Sequence, residues 1–205
     1  MINQLKSRLR QHQPRQLIGA SEARDLPEAG VLIPLRERAG EVELVLTLRS
    51  EQLSTHSGEV AFPGGKRDLE DRDLWHTALR ESHEEIGLDP STVTRLAEMG
   101  PLVSRFGIKV TPFVGIIPAD AQLEANLDEL DCIFSVPLSF FLEDKRLRTD
   151  SIRFQQKTYY VPAYEYDGYQ IWGLTAVMLV ELLNVALDAG IPLHAPQFST
   201  ENLNR

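Results

Sequence analysis

Cysteine is nearly absent. Cys132 is the only one in 205 residues. No intramolecular disulfide can form, which excludes a disulfide-stapled scaffold and fits a reducing compartment, with the cytosol as the default. Cys132 stands in the apolar run CIFSVPLSFFL and reads as a small buried hydrophobe rather than a nucleophile. Positive charge is in deficit as well. Lys and Arg number 21 against 30 Asp and Glu, a formal net charge of -9. Such a chain gains little from counterion release, which argues against a general nucleic-acid binder. An anionic phosphorylated small molecule is still open to it if a divalent cation bridges the two. No apolar run approaches the ~20 residues of a membrane span. The N-terminal MINQLKSRLRQHQPRQL lacks the apolar core of a secretory signal. It is basic, with Ile2, Leu5 and Leu9 at helical spacing. That pattern reads as a short docking helix, with an organellar transit segment as the alternative. Several chemistry-bearing motifs are missing too. There is no phosphate-binding P-loop and no Gly-x-Ser-x-Gly elbow. The stretch from His83 lacks the second His of a metalloprotease helix, since Gly87 stands there. An EF-hand begun at Asp68 would have Asp73 where Gly is needed and Leu79 where Glu is needed.

Hydrophobic residues make up 42% and charged residues 25%, the profile of an ordinary globular chain of one-domain size. Ala29–Arg36 and Glu41–Ser50 read as strands, the second by its alternation of Val42, Leu44, Leu46 and Leu48. From about Asp71 to Ile86 the pattern turns helical. Asp71 or Asp73 is the expected cap and Gly87 the stop. EMGPLVSR and KVTPFVGIIP follow as strand candidates. LDCIFSVPLSFFLED reads as a strand running into a short helix, and IRFQQKTYYVPAYEYDGYQIWG as a hairpin turning near Asp167-Gly168. Leu174–Gly190 is a final helix. Strands and helices mix without regular alternation, which predicts an α+β fold, a compact mixed sheet flanked by helices.

The stretch from Phe62 to Leu88 holds four carboxylates in its first half and three in its second. Glu81, Glu84 and Glu85 share one helix face, where like charges repel by a few tenths of a kcal/mol per pair. A solvated acidic face is the plain reading. A divalent cation would relieve the repulsion, and hard carboxylate oxygens suit Mg2+ or Mn2+. The FPGG that precedes the helix lets backbone approach a ligand closely. Lys66 and Arg67 add cations, and Arg80 stands four residues before Glu84.

GGKRDLEDRDLWHTALRESHEEIGL resembles the Nudix box. Arg80, Glu81, Glu84, Glu85, Gly87 and Leu88 match its second half in register. The spacing from Gly65 to Arg80 is one residue longer than in the general box, so Asp71 is the nearest equivalent of the spaced acid. Ser82 stands where an aliphatic residue is usual. The flank LTLRSEQLSTHSGEVAFPGGK resembles the extended signature of the coenzyme A diphosphatase branch, and VSRFGIKVTPFVG, VPLSFFLED and IWGLTAVML resemble its later segments. The branch usually has Arg where this chain has Ser54. The resemblance covers roughly residues 29–190, which reads as the Nudix domain. Residues 1–28 read as a helix and irregular lead-in, and 191–205 as a tail.

The resemblance implies the Nudix fold, an α/β/α sandwich, and a metal-dependent diphosphatase. Glu81, Glu85 and Glu84 would hold Mg2+ or Mn2+, with the Gly65 carbonyl as a further ligand. Arg80 would orient a glutamate. Glu84 is the first candidate for general base and Glu143 the second. Arg49, Lys66 and Arg67 are candidate phosphate contacts, and Trp172 and Tyr169 could line a pocket or the core. Coenzyme A would yield 3′,5′-adenosine diphosphate and 4′-phosphopantetheine. ADP-ribose, NADH or a dinucleotide is the alternative substrate, and a ligand sensor without turnover the reading from another class. The expected partner is thus a small nucleoside diphosphate derivative, with no nucleic acid and no membrane.

Overall fold

A computed structural model describes residues 1–15, 25–51, 58–154 and 157–193. The fold is organised around a forked hairpin. Strands β1 (Glu28–Arg38) and β2 (Glu41–Arg49) turn tightly at Ala39-Gly40, and both residues have positive φ. They pair only from Leu35↔Leu44 to Arg38↔Glu41 and then part. The segment carrying FPGG fills the gap. Its β3 (Val60–Ala61) pairs with Thr47 and Leu48 of β2. Its β4 (Gly64–Lys66) pairs with Ala29, Gly30 and Val31 of β1. Between them, the Leu32 N–H donates to the Pro63 carbonyl at 2.9 Å.

The helix α2 (Leu74–Ile86) follows. Next come β5 (Thr94–Glu98), β6 (Leu102–Val103) and β7 (Lys109–Ile116), then β8 (Leu130–Pro137) and the short α3 (Leu138–Leu142). β7 lies parallel to β1, β5 antiparallel to β7, and β8 antiparallel to β2. The sheet is therefore mixed, in the order β8-β2-β1-β7-β5, with β3 and β4 in the fork. EMGPLVSR, expected as one strand, is split at Met99–Pro101; Pro101 has no N–H to donate. A second sheet is the meander β9 (Arg148–Phe154), β10 (Lys157–Tyr166) and β11 (Tyr169–Ile171). The expected turn at Asp167-Gly168 is there, with Tyr166 paired to Tyr169. Most of β10, however, pairs with β9, so the segment is three-stranded rather than a simple hairpin.

Alternation along β1 sends side chains to two cores. Val31, Ile33 and Leu35 join the cluster under α4 (Gly173–Leu187), whereas Leu32 joins Ala78 and Ile86 of α2 on the other face. α4 is buried along most of its length. α1 (Ile2–Gln11) packs on it through Leu5 and Leu9, and Arg8 pairs with Asp188 at 3.0 Å. The layers run helix, sheet, helix. Cys132 departs from expectation. It is half-buried, because it faces the seam to β11, where its Sγ meets the Tyr169 hydroxyl at 3.4 Å. Among the described residues no helix is long and apolar enough to cross a membrane.

Candidate metal and phosphate site

Helix α2 begins at Asp73, whose Oδ1 accepts the His76 N–H at 2.8 Å. Asp71 is not the cap. It is buried and gathers donors. Its Oδ2 accepts the Asp68 N–H at 3.0 Å and the Thr77 hydroxyl at 2.9 Å. The His76 Nδ1 lies 2.9 Å from its Oδ1. Arg80 donates through Nε at 3.1 Å and through Nη2 at 3.0 Å. Arg80 above all holds the Asp71 carboxyl well below the usual carboxylate range, and Asp71 in turn holds the guanidinium charged. From this fixed base Arg80 also donates to Glu84 Oε2 at 3.0 Å and to the Lys66 carbonyl at 3.1 Å, and pairs with Glu81 at 3.0 Å.

Glu85 is only 3% exposed. Its Oε2 accepts the Gly64 N–H at 3.0 Å, and its Oε1 accepts from Arg49 Nη1 at 3.3 Å. Burial pushes its carboxyl up to about 7, against the pull of Gly64 and Arg49. Burial raises Glu81 as well, with Arg80 opposing. A Cβ on Gly65 would fall 2.3–2.5 Å from the Glu81 carboxylate, so that carboxylate rests against bare backbone. Only glycine leaves this space open. Glu84 is the exposed member of the three, its side chain 52% accessible.

Glu129 was missed from the sequence. Its charge raises both Glu81 and Glu85. It precedes β8, whose Leu130 pairs with Arg49, and the Ser50 N–H donates to its carbonyl at 2.9 Å. Nothing local in the sequence marks it; the β2–β8 pairing and the docking of Glu124 and Asn126 on the carbonyls of Ile86 and Glu85 bring it to the helix.

The structure therefore brings Arg49, Gly65, Arg80, Glu81, Glu84 and Glu85 together. The Lys66 side chain is exposed on β4. Arg67 bonds Glu28 at 3.4 Å and the Asp71 carbonyl at 3.2 Å, so its guanidinium ties the loop. Glu143 ends α3, exposed and paired with Lys145. Tyr169 stacks on Phe134 at 4.2 Å, and Trp172 is 36% exposed rather than in the core. Ser54 lies outside the described residues. The donor set is all hard oxygen, and the Gly65 face is an open cradle, which fits Mg2+ or Mn2+. Among the described residues no three His, Cys, Asp or Glu gather tightly enough to hold a metal ion. Arg80 and Arg49 hold the carboxylates instead.

The family model described as NUDIX domain matches residues 26–131. Nudix hydrolase 15, mitochondrial, of Arabidopsis thaliana is 38% identical over 167 residues, covering 78% of this chain and 59% of its own length. The uncharacterized Nudix hydrolase NudL of Enterobacter sp. (strain 638) is 39% identical over 181 residues, 86% of this chain and 91% of its own. Among solved structures, a MutT/nudix family protein from Enterococcus faecalis superposes with a TM-score of 0.51 at 13% identity, over 92% of this chain and 70% of that one. That likeness is one of fold alone.

Proposed function

This chain belongs to the Nudix hydrolase family, and we propose that within it the protein is a metal-dependent diphosphatase of coenzyme A or its derivatives. The observation that carries the diphosphatase reading is the Glu81 carboxylate lying against Gly65, beside a Glu85 fixed by the Gly64 N–H. The substrate reading is supported by the flank from Leu46 to Lys66, whose Arg49 reaches Glu85 directly.

Glu81, Glu85, Glu84 and Glu129, with the Gly65 carbonyl, would hold Mg2+ or Mn2+. When bound, the metal supplies charge neutralisation for the diphosphate and an activated water. The chain's own residues do the rest. The Gly64 N–H keeps Glu85 oriented. Asp71 locks Arg80, and Arg80 aims Glu81 and Glu84. Glu84, exposed and held by Arg80, is the first candidate to accept the proton of the attacking water. Lys66, exposed at the end of β4, is a candidate phosphate contact.

The test is product analysis with Mg2+ or Mn2+ on coenzyme A, its oxidised and acylated forms, ADP-ribose, NADH and dinucleoside polyphosphates. The expected result is 3′,5′-adenosine diphosphate and 4′-phosphopantetheine, with the highest kcat/KM for a coenzyme A species. A higher value for another diphosphate would overturn the substrate class while keeping the chemistry. That second reading has Ser54 in its favour. Glu85→Gln should lower turnover on the order of 100-fold, since even outer-shell losses cost 10–100-fold. Unchanged turnover in that variant would remove Glu85 from the metal set.

A further inference from the structure

Two arginines hold the carboxylates of this site, and they are held very differently. Arg80 is anchored through Nε and Nη2 to Asp71 and by the Lys66 carbonyl. Among the described residues the Arg49 side chain makes one hydrogen bond, from Nη1 to Glu85 at 3.3 Å. Its Nε is buried with no hydrogen-bond partner among the described residues. It sits at the end of β2, where the register with β8 shifts between Leu48 and Arg49. Glu85 does not need Arg49 for its orientation, because the Gly64 N–H holds its other oxygen.

We propose that Arg49 fills the charge position of the metal in the metal-free protein, so that guanidinium and divalent cation exchange at Glu85. The proposal rests on the metal-dependent reading given above. A guanidinium and a divalent cation on one carboxylate repel each other at short range, and the side chains of the pair are only 23% and 4% exposed, so water screens little of that repulsion. Arg80 can share Glu81 and Glu84 with a metal because Asp71 anchors it, whereas Arg49 has no such anchor among the described residues and is the one displaced. Glu81 and Glu129 also face Glu85, so the site without Arg49 is strongly negative and draws a cation. The exchange releases a guanidinium only when metal is present. An anionic ligand then meets both together, and by linkage its binding and that of the metal favour each other.

The test measures Mn2+ affinity from the electron paramagnetic resonance signal of free Mn2+ at pH 8.5, alongside the metal-free Tm. The full chain is compared with Arg49→Met and Arg49→Lys. Arg49→Met should bind Mn2+ about tenfold or more tightly, within the usual range of coupling between ligands. Its metal-free Tm should fall, and the rise in Tm on adding Mn2+ should grow. Arg49→Lys should lie between, because a flexible point charge competes less well than a planar guanidinium. Affinity equal to or weaker than that of the unaltered chain overturns the exchange. If Arg49→Met does not fold, Arg49→Lys decides by the same criterion. If the unaltered chain binds no Mn2+, the metal reading falls and takes the exchange with it.

Discussion

Asp71 accepts hydrogen bonds from Asp68, Thr77 and Arg80 and has the His76 ring against it, and this saturation fixes where Arg80 can point. The sequence offered Asp71 and Asp73 equally as caps. Position alone could not divide the roles; burial does, because the exposed Asp73 caps and the buried Asp71 holds the arginine. Glu81, Glu84 and Glu85 were legible from helix spacing and box register. Glu129 was not, since its neighbourhood depends on a strand pairing and on a segment docked on the end of α2, both joining parts far apart in the chain. Gly65 offers the sharpest test at this scale. In Gly65→Ala the new Cβ displaces the end of the flexible Glu81 side chain rather than backbone. Stability should change by less than about 1 kcal/mol, or a few degrees in Tm. Turnover should fall on the order of 10–100-fold, as for a displaced supporting group. A large loss of Tm, or full activity, would contradict the cradle.

Among the elements, β2 and α2 were readable because each carries its own period, and β1 and α4 because each is an apolar run of strand or helix length. β3 and β4 were not. They are two and three residues long, and FPGG reads as loop. Their pairing comes from the parted hairpin, which leaves two edges for one segment to satisfy. The meander was half-legible: the Asp167-Gly168 turn showed, but the pairing of β9 with β10 left no turn signal as strong. Gly30 governs how α2 lies on β1. A Cβ there would fall 2.2 Å from the Leu74 carbonyl oxygen and 3.0 Å from the Ala78 nitrogen, both backbone. Gly30→Ala should therefore destabilise at the upper end of overpacking effects, about 3 kcal/mol, by pushing the helix off the strand. Chemical denaturation of the metal-free chain measures this. A midpoint close to that of Gly65→Ala would show that α2 can shift freely.

At the scale of the whole molecule, the sandwich encloses a buried acid away from the α2 carboxylates. Glu181 lies in α4, 6% exposed, with one oxygen accepting the Gly100 N–H at 3.2 Å and the other without a partner among the described residues. Burial pushes its carboxyl from the ordinary 4.5 to about 7, with the Gly100 N–H pulling the other way. The folded chain thus keeps this proton when the unfolded chain has lost it. The stability it contributes is complete below pH 4.5 and is lost as the pH rises through about 7. The Tm of Glu181→Gln, followed across that window, should decline less steeply than that of the unaltered chain; parallel curves would show that Glu181 does not titrate as described. The fork between β1 and β2 has its own consequence at this scale. Its filling segment must close on both arms before Gly64 and Gly65 meet the acids of α2, and the segment from Glu124 to Asn126 must dock on the end of that helix before Glu129 arrives. A chain with only one arm closed has carboxylates but no cradle. On the metal-dependent reading proposed above, divalent metal would stabilise only the finished fold, and a half-assembled chain would be blind to it.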